Sequence, residues 1–368
     1  MGGGRTGRRR WSCVQQLRVG IVGAGMAYER LHLPAYRRLQ DRYRIVSVCD
    51  ADEGRAARAA RDLGLPDSAV ERDAEAVARR DDVDVVDVMV PIGDNYRVTK
   101  AAAAAMAERG GGGPRGVVCE KPLAANLREA EQARALPAKY GVPILIAEND
   151  RFNEESDTLS RLVADEHAGM ALCFVQLVVS DQAEAIQGTG FSRTEWRQHP
   201  DFPGGMILDK CVHDVALLHR VFGSIDEVQA VGVPQDEEWS PFAVLQANLR
   251  FHSGMTGSLT YCCRTKEMQR PLVGLRILCE RGEIFLEERD CGTINVAFRD
   301  GGSEQIPYTP KRGYDEELLR FHEHLTGGAP LESPPEIEYG DTRAVLAMIK
   351  SAQQNGRRQP VDPEPALV

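Results

Sequence analysis

The sequence contains no apolar run close to the roughly eighteen residues that a transmembrane helix requires. Its nine cysteines form no C-x-x-C pair, which argues against a zinc site and a disulfide scaffold and predicts a reducing, cytoplasmic environment. With a net charge of −10, no domain-sized segment has the broad basic face that nucleic-acid binding needs. We therefore expect no membrane, no nucleic-acid partner and no metal.

Only the N-terminus departs from this charge balance, because four arginines lie among glycines in its first ten residues. No apolar segment follows them before Leu17, as an export signal would need. The match of Met1-Gly2 and Thr6 to the myristoylation pattern is short and common. We predict a disordered basic tail over residues 1–16. The remaining chain, out of 368 residues, is long enough for two domains.

The pattern from Leu17 onward is typical of a nucleotide-binding sheet. The apolar run Leu17–Val22 leads into Gly23-Ala24-Gly25, and a second β-rich run ends at Asp50. A glycine turn of this kind lets backbone N–H groups approach a pyrophosphate. The carboxylate of Asp50 can accept hydrogen bonds from both ribose hydroxyls and would repel a 2′-phosphate, which predicts NAD over NADP. The last position of the fingerprint holds the bulky Tyr28, with Ala27 beside it.

Further strand-like runs at 84–90, 117–119 and 142–147 alternate with helical segments, among them an alanine-rich helix at 96–108. This alternation predicts a parallel sheet with crossover helices. The glycines at 110–113 lack the Lys-Ser/Thr of a phosphate loop and predict a flexible connection. We predict an NAD(P)-binding Rossmann domain over residues 17–150.

After residue 150 the strands are no longer separated by crossover helices, which predicts a large, mostly antiparallel open sheet in a C-terminal α+β domain over residues 151–360. The fold class of the whole chain is therefore α/β. Helices predicted at 154–165, 210–222, 315–325 and 341–355 cover one face of this sheet. The other face has no partner within the chain, so we expect a homodimer or homotetramer. The strand-like runs are 170–180, 227–233, 243–251, 256–263, 275–279, 282–286 and 293–298.

Two short motifs carry the candidate chemistry. Glu120-Lys121-Pro122 closes an apolar run in the first half, and Asp209 and His213 follow Gly204-Gly205 in the second. Because Asp209 and His213 are four positions apart, they share a face if they lie on a helix. Together the motifs supply a cation, a carboxylate and an imidazole.

These motifs, the glycine turn and the stretch His32-Leu33-Pro34-Ala35 resemble the Gfo/Idh/MocA family of glucose–fructose oxidoreductases and inositol dehydrogenases. The resemblance covers the chain from Leu17 to about Pro360. It implies a Rossmann domain followed by a domain with a large open sheet, an active site between the two, and dimers or tetramers. It also implies NAD(P)-dependent oxidation or reduction of a small-molecule carbohydrate, namely a sugar, a polyol or a sugar derivative.

The resemblance and the chemistry of the side chains give each motif residue an expected role. His213 would take the hydroxyl proton and return it in the reverse direction, because an imidazole titrates near neutral pH. Lys121 would stabilise the developing alkoxide, and Asp209 would orient the imidazole or bind a hydroxyl. The family implies a cis Lys121–Pro122 bond and a Glu120 that faces the nicotinamide ribose. The expected cofactor-binding residues are Gly23, Gly25, Met26, Ala27, Asp50, Pro91, Asn95, Glu120 and Lys121.

Each of these residues has a simpler alternative. Lys121 would be a solvated surface charge, His213 a helix-start histidine and Asp209 an N-cap. Further substrate contacts are predicted at the domain junction and in the loop before the glycine pair. Their alternatives are hydrogen bonding between domains and packing of the loop. These candidates are Asn149, Arg151 and Asn153, then Trp196 and Arg197, and, near the C-terminal helix, Tyr314.

Two positions depart from the family pattern. Asn95 stands four positions after Pro91, where members often carry a histidine, and Ala216 replaces a second acid three residues after His213. Asp214, which neighbours His213, is expected to be structural. We predict an NAD-dependent sugar or polyol dehydrogenase or reductase. The alternatives are an enzyme that recycles bound NAD during epimerisation, glycosidic cleavage or oxidoreduction between two sugars, and a non-catalytic NAD-binding regulator.

Overall fold

Five short strands of the first half form a parallel sheet, as predicted. They are β1 (Leu17–Val22), β2 (Tyr43–Cys49), β3 (Val85–Val88), β4 (Gly116–Glu120) and β5 (Ile144–Ala147). Their order in the computed structural model is β2-β1-β3-β4-β5, and every residue of β3 and β5 is buried. Burial of both faces follows from the helices that cover a parallel sheet on each side.

The structure describes residues 15–109, 113–265, 273–288 and 290–361. Most of the predicted basic tail and residues 110–112 of the predicted glycine connection lie outside these ranges. Within the described ranges, no helix combines the length and the apolar character needed to cross a membrane.

The strand order reverses between β1 and β3, which are neighbours in the sheet although β2 lies between them in sequence. Such a reversal opens a crevice at the carboxyl ends of the strands, where open α/β sheets bind ligands. Gly23 follows β1 at this edge with a φ of 96°. A Cβ at this position would lie 2.2 Å from the carbonyl oxygen of Met89, just after β3. The close approach of the two strand ends therefore requires glycine.

In the described part of this half, six helices connect and cover these strands. They are α1 (Leu33–Arg38), α2 (Glu53–Asp62), α3 (Ala74–Arg79), α4 (Ile92–Glu108), α5 (Leu127–Arg134) and α6 (Leu136–Tyr140), and a π-helical turn at Tyr28–His32 precedes α1. The bulky Tyr28 of the fingerprint is buried in the core of this half together with Ala24 and Ala56.

Nine strands of the second half form one open sheet. They are β6 (Ala171–Val179), β7 (Ile225–Pro234), β8 (Phe242–Phe251), β9 (Thr256–Cys262), β10 (Gly274–Cys279), β11 (Gly282–Leu286), β12 (Thr293–Phe298), β13 (Ser303–Pro307) and β14 (Gln359–Pro360). The order is β13-β12-β11-β10-β6-β9-β8-β7-β14, and β6 pairs in parallel with β9 while the other pairs are antiparallel. The predicted mostly antiparallel sheet is confirmed, with β13 and β14 added at its edges.

The helices of the second half are α7 (Glu154–Ala164), α8 (Gln182–Gln187), α9 (Glu195–Gln198), α10 (Met206–Phe222), α11 (Gly313–Gly327) and α12 (Pro335–Gln353). Helix α10 is central, because Leu208, Val212 and Val215 lie in the core between this sheet and α12. Helix α11 packs instead on the first sheet, where a Cβ on Gly116 would lie 2.5 Å from the ring of Phe321. The chain therefore returns to the first sheet in α11, before β14 joins the edge of the second sheet.

One face of the nine-stranded sheet exposes apolar side chains. Alternate residues of β6 to β12 are buried against the helices, and their neighbours point to the other face. On that face Val175, Val231 and Val233 are 48%, 53% and 56% exposed. An apolar surface of this kind is consistent with a partner, and the homodimer or homotetramer stays a prediction.

Candidate active site

A cavity of about 950 Å³ lies at the strand reversal, between the first sheet and α10. Residues from both halves of the chain border it. From the first half these are most of the predicted cofactor-binding residues, namely Gly23, Gly25, Met26, Ala27, Asp50, Pro91, Glu120 and Lys121. From the second half they include the predicted substrate residues Trp196, Arg197, His213 and Tyr314.

Asp50 borders the cavity beside the glycine turn. Its Oδ2 accepts a hydrogen bond from the Ala24 N–H at 2.7 Å, and its Oδ1 accepts one from the Asp52 N–H at 2.8 Å. The Nη1 of Arg55 lies 3.7 Å from Oδ2. A carboxylate held by backbone groups next to an open glycine turn suits a ribose with both hydroxyls free. The residues at this end of the cavity therefore fit NAD.

Lys121 reaches the cavity from the turn that ends β4. The Lys121–Pro122 peptide bond is cis, as the family resemblance implies. Asn95 holds this turn, because its Nδ2 donates to the carbonyl oxygens of Glu120 and Pro122, each at 2.8 Å. Asn95 is fully buried behind the turn, so its observed contacts are with the backbone that carries Lys121 and not with the cavity.

A buried histidine fixes the same turn from the other side. His32 is fully buried, with Nδ1 2.8 Å from Asp87 Oδ2 and Nε2 3.0 Å from Glu120 Oε1. Burial alone would lower the pKa of His32, but the charge on Asp87 and the hydrogen bonds to both carboxylates raise it well above its ordinary value. A protonated imidazole that donates from both nitrogens orients Glu120, whose Oε2 accepts the Lys121 N–H at 3.1 Å. The sequence analysis assigned no role to His32, although it lies in the stretch that carries the resemblance.

Asp209 joins cations from both halves of the chain. The Nζ of Lys121 donates to its carbonyl oxygen at 2.6 Å and to its Oδ1 at 2.8 Å, and the Nε of Arg197 donates to its Oδ2 at 2.8 Å. Burial would raise the pKa of Asp209, but Lys121, Arg197 and Lys210 lower it well below its usual value. The carboxylate is therefore ionised, and the two motifs found in the sequence meet at this residue.

Gly204-Gly205 determines where α10 begins. Gly205 is the N-cap, with a φ of 49°, and a Cβ on it would lie 2.4 Å from the Trp239 carbonyl oxygen. Glycine is required there by both the backbone conformation and the close approach. The helix begins one turn earlier than predicted, so Asp209 lies inside its first turn. The N-cap alternative for Asp209 is wrong, because Gly205 occupies that position.

His213 lies one helical turn after Asp209 and borders the cavity, with its side chain 18% exposed. Its Nδ1 is 2.6 Å from Oε1 of Glu148, and Oδ2 of Asp150 is 3.7 Å away. Burial alone would raise the pKa of Glu148, but His213, Lys121 and Arg151 lower it below its usual value. An ionised Glu148 accepts the Nδ1 proton, so Nε2 is the nitrogen left to exchange a proton with a ligand.

Sequence reasoning missed Glu148. It directly follows β5, just as Glu120 ends β4, and β4 and β5 are adjacent in the sheet. Because ligands bind at the carboxyl ends of parallel strands, a carboxylate at the end of the last predicted strand was a usable signal.

Glu148, together with Asp150 and His213, forms a group within the described chain whose side chains could serve as metal ligands. Ligand atoms of Glu148, Asp150 and His213 lie within 4.8 Å of one another. The hydrogen bond between His213 and Glu148 already accounts for their approach, and we assign no metal to the group.

The three predicted substrate residues at the domain junction contact protein groups. Arg151 is buried and pairs with Glu338 at 3.0 Å and with Asp341. Asn149 and Asn153 each donate from Nδ2 to Asp150 Oδ1, at 2.9 Å and 3.0 Å. Asn153 Oδ1 also accepts the Gly313 N–H, at 2.8 Å. Arg151 and Asn153 thus bond to residues distant in sequence and Asn149 to its neighbour Asp150, and a role of the three in substrate binding stays a prediction.

Trp196 and Arg197 do reach the cavity. They lie on the short helix α9, and the guanidinium of Arg197 stacks on the indole of Trp196, with 3.9 Å between its carbon and the ring centroid. Stacking of this kind orders both side chains. Arg197 is held at its other side by Asp209, so the α9 loop is tied to the start of α10.

Models of two protein domains match the chain. Residues 17–148 match an oxidoreductase family with an NAD-binding Rossmann fold, and residues 158–285 match the GFO/IDH/MocA C-terminal domain. The Rossmann fold and NAD as the cofactor, both predicted from the sequence, are thereby confirmed.

Similar proteins span nearly the whole chain. Myo-inositol 2-dehydrogenase of Thermotoga maritima is 23% identical over 92% of this chain and 96% of its own length. The uncharacterized protein YMR315W of Saccharomyces cerevisiae is also 23% identical, over 92% of this chain and 97% of its own. The crystal structure of an inositol dehydrogenase homologue complexed with NAD+ from Azotobacter vinelandii superposes with a TM-score of 0.80 at 17% identity, covering 95% of this chain and 98% of that one. This superposition shows that the two chains share the same fold.

Proposed function

Because the chain belongs to the Gfo/Idh/MocA family of NAD-binding oxidoreductases, we propose that it transfers a hydride between NAD and a carbinol or ketone carbon of a sugar, a polyol or a sugar derivative. The observation that carries this proposal is that Lys121 and His213 both border the cavity at the glycine turn and Asp50, with Asp209 buried behind them and bonded to Lys121. The names of relatives, among them a myo-inositol 2-dehydrogenase and a 1,5-anhydro-D-fructose reductase, support the substrate class.

In this proposal each residue around the cavity has a separate role in the reaction. NAD, when bound, accepts or delivers a hydride at its nicotinamide ring. During oxidation Nε2 of His213 takes the hydroxyl proton, and Glu148 balances the charge that forms on the imidazole. The ammonium of Lys121 stabilises the oxygen from which that proton leaves. Asp209 holds Lys121 in place from the second half of the chain, at 2.8 Å.

The proposal is tested by the absorbance of NADH at saturating NAD with a panel of inositols, aldoses and sugar acids. We expect NADH to form with one group of related carbohydrates, and the product to be the corresponding ketone or lactone by mass spectrometry. Tight NAD binding without NADH formation, together with a substrate that changes to an isomer, would replace this proposal by one in which the cofactor is recycled.

Glu148→Gln is expected to lower kcat by about 10- to 100-fold, the range found when a group that orients a functional histidine is removed. Glutamine keeps the size of the side chain but carries no negative charge. The imidazolium then loses its counter-charge, so the acid limb of the pH–rate profile for oxidation should move to lower pH. Steady-state rates from pH 5 to 9 measure both effects. A lower kcat with an unmoved acid limb would show that Glu148 is needed only for packing.

Asp50→Ser is expected to raise the ratio of kcat/KM for NADP to that for NAD by at least about 10-fold. The carboxylate that repels a 2′-phosphate is removed, and Arg55, now 3.7 Å from it, becomes available to pair with that phosphate. Rates with both cofactors at one substrate concentration give the ratio. Asp52→Ser is the matched control, since serine also caps α2. An equal change in both variants would show a general effect of charge and contradict the role given to Asp50.

A further inference from the structure

A second, smaller cavity of about 340 Å³ adjoins the first. Lys210 and His213 border both cavities, so the two meet at this face of α10. The two residues are three positions apart on the helix and therefore lie on the same side of it. The cavity also has polar side chains from β6, from α8 and from the strand β9, namely Gln176, Gln182 and Tyr261.

Lys210 supplies a cation where the two cavities meet. Within the described residues its ammonium has no hydrogen bond and no ion pair. Burial, together with the neighbouring charges of Lys121 and Arg197, lowers its pKa, while Asp209 raises it. Since Asp209 is already bonded to Lys121 and Arg197, it does not serve as the partner of Lys210. A half-buried charge without a partner destabilises a fold, so stability does not explain this lysine.

Gln176 offers a second unfilled contact in the same cavity. It is 4% exposed, and its Nε2 donates to Asp214 Oδ1 at 2.9 Å. Its Oε1 is buried without a hydrogen-bond partner in the described structure. Burial raises the pKa of Asp214 to about 7, so this acid is only partly ionised at neutral pH. An unsatisfied buried acceptor is unfavourable unless a ligand supplies the donor.

The two contacts together define a ligand. Lys210 requires one negative charge, and Gln176 Oε1 requires a hydroxyl or another donor. Glu287 and Glu288 also border the cavity, but neither is free. A phosphate ester would bring nearly two charges and is normally met by several donors, whereas one ammonium matches one carboxylate.

We propose that the substrate is a sugar acid whose carboxylate binds Lys210 and one of whose hydroxyls donates to Gln176 Oε1. The carboxylate then occupies the smaller cavity, and the reacting carbinol lies in the larger one beside His213 and Lys121. This inference rests on the proposed function, because it names the substrate class of the same site.

The test compares matched acid and neutral ligands, D-gluconate with D-glucose and D-galactonate with D-galactose, with D-glucose 6-phosphate as the phosphate arm. Binding to the protein–NAD complex is measured by calorimetry, and turnover by NADH absorbance. We expect the acids to bind more tightly than the neutral sugars and the phosphate. In Lys210→Met the ratio of acid to neutral affinity should fall about 10- to 100-fold, as expected for loss of a hydrogen bond between charged groups. Lys350→Met, at an exposed position of α12, should leave the ratio at the wild-type value.

Each outcome decides the inference. A Lys210→Met ratio equal to the wild-type ratio overturns it, as does a preference for the neutral sugars or for the phosphate, or a failure of every acid to bind. Acid binding that depends on Lys210 without NADH formation supports the inference and contradicts the proposed hydride transfer. NADH formation from neutral sugars alone supports the proposed hydride transfer and contradicts the inference of a sugar acid. Because methionine removes an unpaired charge, Lys210→Met should melt at or above the wild-type temperature, so loss of binding will not come from unfolding.

Discussion

His213→Asn is expected to reduce kcat by about 10²- to 10⁴-fold, the contribution of a well-placed general acid or base. Asparagine cannot take up a proton at working pH, so the hydroxyl proton has no acceptor at the place now occupied by Nε2. The amide of asparagine can still donate to Glu148, which is 2.6 Å from Nδ1 in the wild type. The buried carboxylate thus keeps a partner, and the fold should be retained.

The measurement is kcat with the best substrate of the panel, beside NAD affinity from quenching of intrinsic fluorescence. NAD affinity should stay within about threefold of the wild type, because Asp50 and the glycine turn are untouched. His199→Asn is the matched control, since His199 is exposed and pairs with Glu238 on the surface. A His213→Asn variant as active as this control would rule out His213 as the proton acceptor.

Lys121, Asp209 and His213 could be expected at one site because the order and spacing of their motifs resemble those of the family. Parallel strands end at one edge, so a residue that closes β4 must lie at the crevice beside the glycine turn. The spacing of Asp209 and His213 predicted that they share a helix face, and the structure places His213 at the crevice.

Other parts of the site depend on contacts between residues far apart in sequence. Nothing near Arg151 indicates that Glu338 and Asp341, almost 190 positions later, neutralise it in the core. Within the described residues, the free acceptor of Gln176 and the unpaired ammonium of Lys210 are likewise defined by which neighbours they lack. A sequence pattern does not contain that information.

In the fold, too, local sequence patterns could be predicted, whereas contacts between distant segments could not. The half-buried strands of the second sheet alternate apolar and polar residues, and their boundaries were predicted within a few residues. The edge strand β13 (Ser303–Pro307) is almost entirely exposed and polar, so it has no apolar face to signal a strand. Helix α11 packs on the first sheet although its sequence follows the second, which only the tertiary fold could reveal.

Lys121→Met is expected to lower kcat by about 10²- to 10³-fold, comparable to removal of one donor that stabilises a developing oxyanion. Methionine fills a similar volume but has no charge to place against the reacting oxygen. Lys121→Arg should not restore the rate, because a planar guanidinium cannot take the place of an ammonium that makes two contacts with Asp209, at 2.6 Å and 2.8 Å. Lys139→Met, at an exposed position, is the control.

The acid unfolding midpoint of Lys121→Met distinguishes the loss of the lysine charge from a change in side-chain shape. Asp209 has a pKa well below its usual value in the folded protein, so its ion pairs stabilise the fold above the pKa of the unfolded chain and are lost as the pH falls through the folded value. Without Lys121, Arg197 is the one cation among the described residues that still bonds to this buried carboxylate, so the pKa of Asp209 should rise. The acid unfolding midpoint of Lys121→Met should therefore lie at higher pH than that of the wild type, and that of Lys139→Met should not. Equal midpoints in all three proteins, measured by circular dichroism between pH 2 and 6, would contradict the ion pair on which the position of Lys121 depends.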